Sequence, residues 1–277
     1  MTEPRIDPFR DRVAVITGGA GGIGMAMAHA FAARGAAVVL ADLDPDAVER
    51  AAGELRRQNA KVLPVVTDVT QLDSVAALAD AARAHFGGVH IVCNNAGVAL
   101  FGEIAKASHR DWVYTMNVNF WGVVHGIETF VPLLTAQGQG GHIVNTASMA
   151  GLVGMRWLGI YSASKFAVVG LSEALQRELK PLGIGVSVLC PMIVDTAINE
   201  NSVRMRPSDL RNAGDDPLVV PPPNAMAGGT IPPAEVGRRV IRAIDRGDLY
   251  ILTHPEQREI LHRRAAKLDT MFKEEFW

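Results

Sequence analysis

The chain has 277 residues, 48% of them hydrophobic, enough for one large α/β domain or two small ones with a substantial core. Lys and Arg number 27 against 29 Asp and Glu, and the formal charge of −2 gives no bulk attraction to nucleic acid or an anionic membrane. Residues 1–10 are polar rather than signal-like and no run of about 20 apolar residues offers a bilayer span, so a cytoplasmic protein with small-molecule partners is expected.

The first element is a β-branched apolar run, Val13 to Thr17, that ends in a cluster of glycines: Gly18, Gly19, Gly21, Gly22 and Gly24. The following segment, Met25 to Ala33, is rich in strong helix formers until Gly35 stops it. Strand, glycine turn and helix in this order let a backbone approach a pyrophosphate and aim a helix N-terminus at its charge. The next apolar strand, Ala37 to Ala41, ends on Asp42, 24 residues after Gly18 (42 − 18), where a carboxylate can accept hydrogen bonds from the ribose hydroxyls of NAD. No Arg or Lys stands at 18–24 or 42–46 to meet a 2′-phosphate, which favours NAD over NADP.

Further apolar runs lie at Val62 to Val66, Val89 to Cys93, His142 to Ala147 and Gly185 to Cys190, with helix-like segments between them. Such alternation predicts a parallel sheet with helices on both faces. Asp44-Pro45 and Asp73-Ser74 read as helix starts, and Gly35, Gly87 and Gly183 as residues just past helix ends. Cys93 and Cys190 each close an apolar run, the setting of a small buried hydrophobe rather than a disulfide or reactive thiol.

Within this frame Ser148 precedes Tyr161 by 13 positions (161 − 148), and Tyr161 precedes Lys165 by four (165 − 161). On a helix the i,i+4 spacing places Tyr161 and Lys165 on one face, where an ammonium can stabilise a phenolate and lower a pKa ordinarily near ~10. A Tyr and a Lys four apart also arise by chance, so the pair alone leaves both readings open. The other tyrosines, Tyr114 and Tyr250, have Val118 and His254 at that spacing.

After Pro191 residues 192–233 lose sustained periodicity and include Val219-Val220-Pro221-Pro222-Pro223 and Gly228-Gly229. A segment of this kind in a compact domain is usually functional or disordered. Order returns with a predicted helix from Ala234 to Arg246 and a strand from Leu249 to Leu252. The tail carries Leu261, Ala265, Leu268 and Phe272 at amphipathic-helix spacing, a stripe expected to cover its own domain, with a subunit contact as the alternative.

Five motifs in order make the chain resemble the short-chain dehydrogenase/reductase family. They are TGGAGGIG (Thr17 to Gly24), NNAG (Asn94 to Gly97), Val118-Asn119-Phe120-Trp121-Gly122, Asn145-Thr146-Ala147-Ser148 and YSASK (Tyr161 to Lys165). The glycine spacing also fits the longer epimerase and dehydratase relatives, as Gly18, Gly21, Gly24, but only 116 residues follow Tyr161 (277 − 161), which favours the short form. The resemblance implies one Rossmann-fold domain over residues 1–277: a doubly wound parallel sheet of about seven strands, with 192–233 as a substrate-binding loop.

It implies a catalytic tetrad of Asn119, Ser148, Tyr161 and Lys165, with Asn117 set aside because it falls on a different helix face. Tyr161 would be the general acid or base, Lys165 would lower its pKa and hold the nicotinamide ribose, Ser148 would bind the substrate oxygen, and Asn119 would hold a water. The implied cofactor contacts are Gly18, Gly22, Ile23, Gly24, Asp42, Asp68 at the adenine amino group, Val69, Asn95, Gly97, Tyr161, Lys165, Pro191, Val194 and Thr196. Residues 191–196 read PMIVDT where the family has PGxVxT, so Met192 replaces a glycine and puts the backbone of that loop in question.

Met149, Met155, Trp157 and Met192, with Leu158, predict an apolar substrate pocket whose only nearby cation is Arg156. The expected substrate is a secondary alcohol or ketone on a hydrophobic skeleton, and the expected assembly a homodimer or homotetramer; no metal is called for. Alternatives at this point are a carbonyl reductase, epimerase or dehydratase of the same fold, or a non-catalytic dinucleotide-binding sensor or scaffold.

Overall fold

A computed structural model describes residues 7–214 and 228–272. Seven strands form one sheet: β1 (Val13–Thr17), β2 (Ala37–Asp42), β3 (Val62–Val66), β4 (Ile91–Asn94), β5 (Gly141–Thr146), β6 (Ile184–Cys190) and β7 (Tyr250–Leu252). All neighbouring pairs are parallel, in the order β3-β2-β1-β4-β5-β6-β7. Strands buried on both faces need continuous apolar sequence, and β1 and the first five residues of β2 are buried throughout.

Helices cover both faces, as the alternation of runs predicted. On one side α1 (Gly22–Ala33), α2 (Pro45–Arg57) and α8 (Pro233–Arg246) close over a core that includes Met27, Phe31, Leu40, Leu55 and Val240. On the other side α3 (Leu72–Phe86), α5 (Gly122–Gln137) and α6 (Gly159–Leu179) bury Leu78, Phe130, Leu134, Leu175 and Leu179. The sequence runs out from β1 to β2 and β3, then returns to β4 on the other side of β1. This reversal opens a crevice beyond the carboxyl ends of β1 and β4, where such sheets bind ligands.

Local chemistry sets the helix ends. Asp44 accepts a hydrogen bond from the Ala47 amide at 3.0 Å and Pro45 occupies the first position, fixing the start of α2. Gly87 adopts φ 85° just past α3.

Several expectations need correction. β4 begins at Ile91 rather than Val89, and α3 at Leu72 rather than Asp73. The segment after Pro191 is not wholly irregular: it contains α7 (Ile198–Arg204) and a 3-10 turn, Ser208–Leu210, although Val219 to Pro223 lie outside the described residues. The tail does form a helix, α9 (Arg258–Asp269), but its apolar stripe is not covered by its own domain. Leu268 on α9 is 51% exposed and Phe272, in the turn after it, 75%, and α9 meets the body through contacts such as Arg264 over the Phe166 ring.

Candidate active site

The crevice holds a cavity of about 780 Å³. Its floor is the glycine turn between β1 and α1. Gly18 has φ +61°, and a Cβ there would lie 2.9 Å from the Ala96 Cα; one on Gly24 would lie 2.0 Å from the Gly18 carbonyl oxygen. Gly24 therefore lets α1 pack onto the turn and is itself out of the cavity, whereas Gly18, Gly22 and Ile23 line it. No side chain caps the start of α1, so its first amides are left for an anion. These features fit a dinucleotide pyrophosphate.

Asp42, at the end of β2, faces the same cavity, and its carboxylate accepts from the amides of Ala20 (3.0 Å) and Asp44 (3.3 Å). Asp68 is held by Thr70, whose amide and hydroxyl donate to it at 2.9 and 2.8 Å. Asn95 stitches β1 to β4: its amide donates to the Thr17 hydroxyl and its side chain to the Thr17 carbonyl. Val69, Gly97, Pro191, Val194 and Thr196 also line the cavity.

The opposite wall carries the tyrosine. Tyr161 and Lys165 stand one turn apart on α6, and Ser148, just past β5, lines the cavity with them. The Ser148 hydroxyl accepts from the Ala150 amide at 3.1 Å and donates to the Pro191 carbonyl at 3.3 Å. Lys165 is buried, and its ammonium donates to the Thr146 carbonyl at 2.8 Å. Burial pulls it down to about 8.

Two expectations change here. Burial pushes the Tyr161 hydroxyl up to about 12, against a hydrogen bond with Ser148 that pulls the other way. Lys165 does not reverse that shift: it is itself buried, and its ammonium donates to the Thr146 carbonyl. Asn119 sits in a π-helical turn, Asn117–Trp121, joining α4 (His109–Met116) to α5. It is fully buried, its Oδ1 accepting from Val98 N–H (2.8 Å) and its Nδ2 donating to the Val98 carbonyl and the Ser164 hydroxyl. Its side-chain donors are thus both taken by protein, and it is Asn117 that lines the cavity.

The four expected substrate contacts divide. Met155 and Met192 line the cavity, together with Leu158. Met149 is 1% exposed and packed in the interior, away from the lining. Trp157 is also outside it; the residue takes φ +67°, uncommon for a bulky side chain, and its ring meets the Arg156 guanidinium at 5.2 Å. Met192 shows no such backbone, so a side chain replaces the family's glycine there without strain.

Sequence reasoning named none of the roof's side chains as part of the site. Phe101 and Tyr114, each four residues from a motif, line the cavity, as do Met205 and Leu210 from the segment 192–233 expected to bind substrate. The Tyr114 hydroxyl donates to the Ser202 carbonyl at 3.0 Å, and the Ala99 amide donates to the Ser202 hydroxyl at 2.8 Å, seating α7 over the cavity. A second anchor is Arg206, whose guanidinium meets Asp111 at 2.7 Å and lies 5.6 Å from the centre of the Tyr114 ring. Burial raises the Asp111 carboxyl, but hydrogen bonds from Ser108, Arg206 and Asn212 outweigh it and hold the group below its ordinary value.

Comparison with known proteins agrees with this geometry. A family model described as short chain dehydrogenase matches residues 12–207. The C alpha-dehydrogenase of Sphingobium sp. is 35% identical over 258 residues, 92% of this chain and 84% of the relative. The 1-deoxy-11-beta-hydroxypentalenate dehydrogenase of Streptomyces exfoliatus is 41% identical over 192 residues, 68% of this chain and 69% of the relative. A short chain dehydrogenase/reductase from Burkholderia phymatum, solved in complex with NAD, superposes with a TM-score of 0.87 at 38% identity, covering 96% of each chain. With these motifs in one crevice and this fold around them, the chain belongs to the short-chain dehydrogenase/reductase family of oxidoreductases.

Proposed function

We propose that the protein is an NAD-dependent dehydrogenase interconverting a secondary alcohol and a ketone on a hydrophobic, uncharged skeleton. The observation that carries this reading is the facing of two walls across one cavity: Gly18, Gly22 and Asp42 on one side, Ser148 and Tyr161 on the other. NAD, when bound, supplies hydride transfer. The protein's own work is to hold the substrate oxygen and move one proton.

In the oxidising direction Tyr161 accepts the hydroxyl proton of the alcohol; in reduction it returns a proton to the carbonyl oxygen. Ser148 donates to that oxygen as charge develops on it. Lys165, buried beneath, contributes positive charge that favours the phenolate once the substrate and the cationic oxidised nicotinamide are in place.

The apolar walls at Phe101, Met155, Leu158, Met192 and Met205 support a hydrophobic substrate. Among the described residues the cavity-lining cations are Lys165, beneath the tyrosine, and Arg204, paired with Asp44, so neither is presented to clamp a substrate carboxylate. Two relatives named as dehydrogenases support the same reaction class. A panel of hydrophobic secondary alcohols with NAD⁺, followed by NADH absorbance, tests the reading. Turnover of several members supports it, and NADP-only turnover or none overturns it.

Assembly as a homodimer or homotetramer in the cytoplasm belongs to the same proposal. Phe120, Val124 and Ile127 with Phe166 and Leu171 are only half-buried, and Trp121 is 48% exposed. A strictly monomeric species in sedimentation at micromolar concentration contradicts the assembly. No helix among the described residues is long and apolar enough to cross a membrane.

A further inference from the structure

In the sequence Asp42 has no cation near it in the chain, but the fold brings one to it. Arg204, the last residue of α7, lies 162 positions from Asp42 (204 − 42), yet it lines the same cavity as Asp42 and Asp44. Its Nη1 meets Asp44 Oδ2 at 3.1 Å, and its Nη2 donates to Asn201 Oδ1 at 3.2 Å. Asp44 is in turn tied to Asp42, whose Oδ1 accepts the Asp44 amide at 3.3 Å.

We propose that Arg204 is a cofactor-specificity residue: it is the cation that a 2′-phosphate on the adenosine ribose would engage, masked by Asp44 and opposed by Asp42. The inference rests on the reading of this cavity as a nicotinamide dinucleotide site. A guanidinium binds phosphate oxygens through two parallel N–H donors, which a single contact to Asp44 leaves partly unused. The Arg204 side chain is 58% exposed, so the guanidinium can leave Asp44 and stay hydrated, while the Asp44 carboxylate keeps its hydrogen bond from the Ala47 amide. In the unmodified protein the Asp42 carboxylate lines the same cavity, and its like-charge repulsion of an added phosphate would keep NAD the better ligand. Removing the Asp44 carboxylate frees Arg204 to act on the phosphate, and removing that of Asp42 lifts the repulsion against it.

This arrangement predicts coupling rather than a simple loss. Asp42→Ala removes the repulsion, and Asp44→Asn removes the mask while keeping a side chain able to cap α2. Dissociation constants for NAD and NADP, read by calorimetry, should show NADP tightening roughly tenfold in either variant, the worth of one charge-assisted hydrogen bond. Adding Arg204→Met should abolish the gain in the Asp44→Asn background and leave only the relief of repulsion in the Asp42→Ala background, while NAD affinity moves less than about twofold, and the Arg204-dependent gain should shrink with added salt.

If Arg204→Met weakens NAD and NADP by the same factor in both backgrounds, Arg204 is a rim ion pair that steadies α7, and the proposal is wrong. A gain in NADP affinity in the Asp44→Asn background that survives Arg204→Met overturns it as well. Failure of the unmodified protein to bind either dinucleotide would instead refute the dinucleotide reading itself, and the assignment with it. 2′-AMP against 5′-AMP, measured on the same five proteins, reads the phosphate contact without the nicotinamide half.

Discussion

The Lys165 ammonium lies 5.6 Å from the centre of the Tyr161 ring while donating its 2.8 Å hydrogen bond elsewhere, to the Thr146 carbonyl. The i,i+4 spacing does put the two residues on one face of α6, but proximity in a buried site does not by itself lower the tyrosine. Desolvation penalises both charged forms, pushing Tyr161 up to about 12 and Lys165 down to about 8.

The cofactor-free protein should therefore contain no ionised tyrosine near pH 9. Burial leads the upward shift at Tyr114, Tyr161 and Tyr250 alike, each to about 12. Ultraviolet difference titration of the wild type against Tyr161→Phe should show no tyrosinate signal assignable to Tyr161 below about pH 10. A Tyr161 transition near neutrality without cofactor would contradict this. The alkaline limb of alcohol oxidation then belongs to the complex with NAD⁺ and substrate, and Lys165→Ala should shift that limb to higher pH.

Much of this site was legible in the sequence because it depends on local chemistry. β1, the glycine turn and α1 are contiguous, and Tyr161 and Lys165 are one helical turn apart, so their relative placement follows from a few residues. Met149 and Trp157 were misjudged because nearness in sequence to Ser148 and Tyr161 does not fix which way a side chain points. Met149 turns into the core, and the left-handed backbone of Trp157 accompanies its departure from the cavity. Arg204 and Arg206 fall in the segment 192–233 expected to bind substrate, but their individual roles, like that of Tyr114, come from α7 folding back over α4 and the β2–α2 turn and carried no local signal. The π-helical turn was equally hidden, because hydrogen-bond slippage of one residue at Asn117–Trp121 leaves no compositional mark.

Breaking the Arg206–Asp111 pair should loosen the roof. The side chains are 8% and 16% exposed, so Asp111→Ala removes one charged contact of a largely buried guanidinium, whose Nε still donates to the Leu210 carbonyl. It also removes the reciprocal cap in which the Ser108 amide donates to Asp111 at 2.7 Å. The expected cost is about 3 kcal/mol in urea unfolding. In the folded fraction KM for a bulky substrate should rise several-fold while NAD affinity stays within about twofold. Unchanged stability and unchanged KM would show that the pair does not hold α7.

A separate signature lies at the amino end of the sheet. His142 is buried on β5, with Nε2 2.8 Å from the Ser187 hydroxyl, and burial lowers it from 6.5 to about 4. The folded state thus keeps this ring neutral where the unfolded chain takes a proton. Its contribution to stability is full above about pH 6.5 and is lost as pH falls towards about 4. Between about pH 7 and pH 5 the loss should be about 2 kcal/mol. His142→Gln should be less stable at neutral pH yet lose less on acidification. Equal acid sensitivity of variant and wild type would place the titrating group elsewhere.

The central claim is that Tyr161 moves the proton. On a secondary alcohol that the wild type oxidises with NAD⁺, steady-state turnover of Tyr161→Phe should fall on the order of 10²- to 10⁴-fold, the usual worth of a positioned acid or base, while NAD affinity stays close to that of the wild type. Wild-type turnover in Tyr161→Phe would contradict the mechanism.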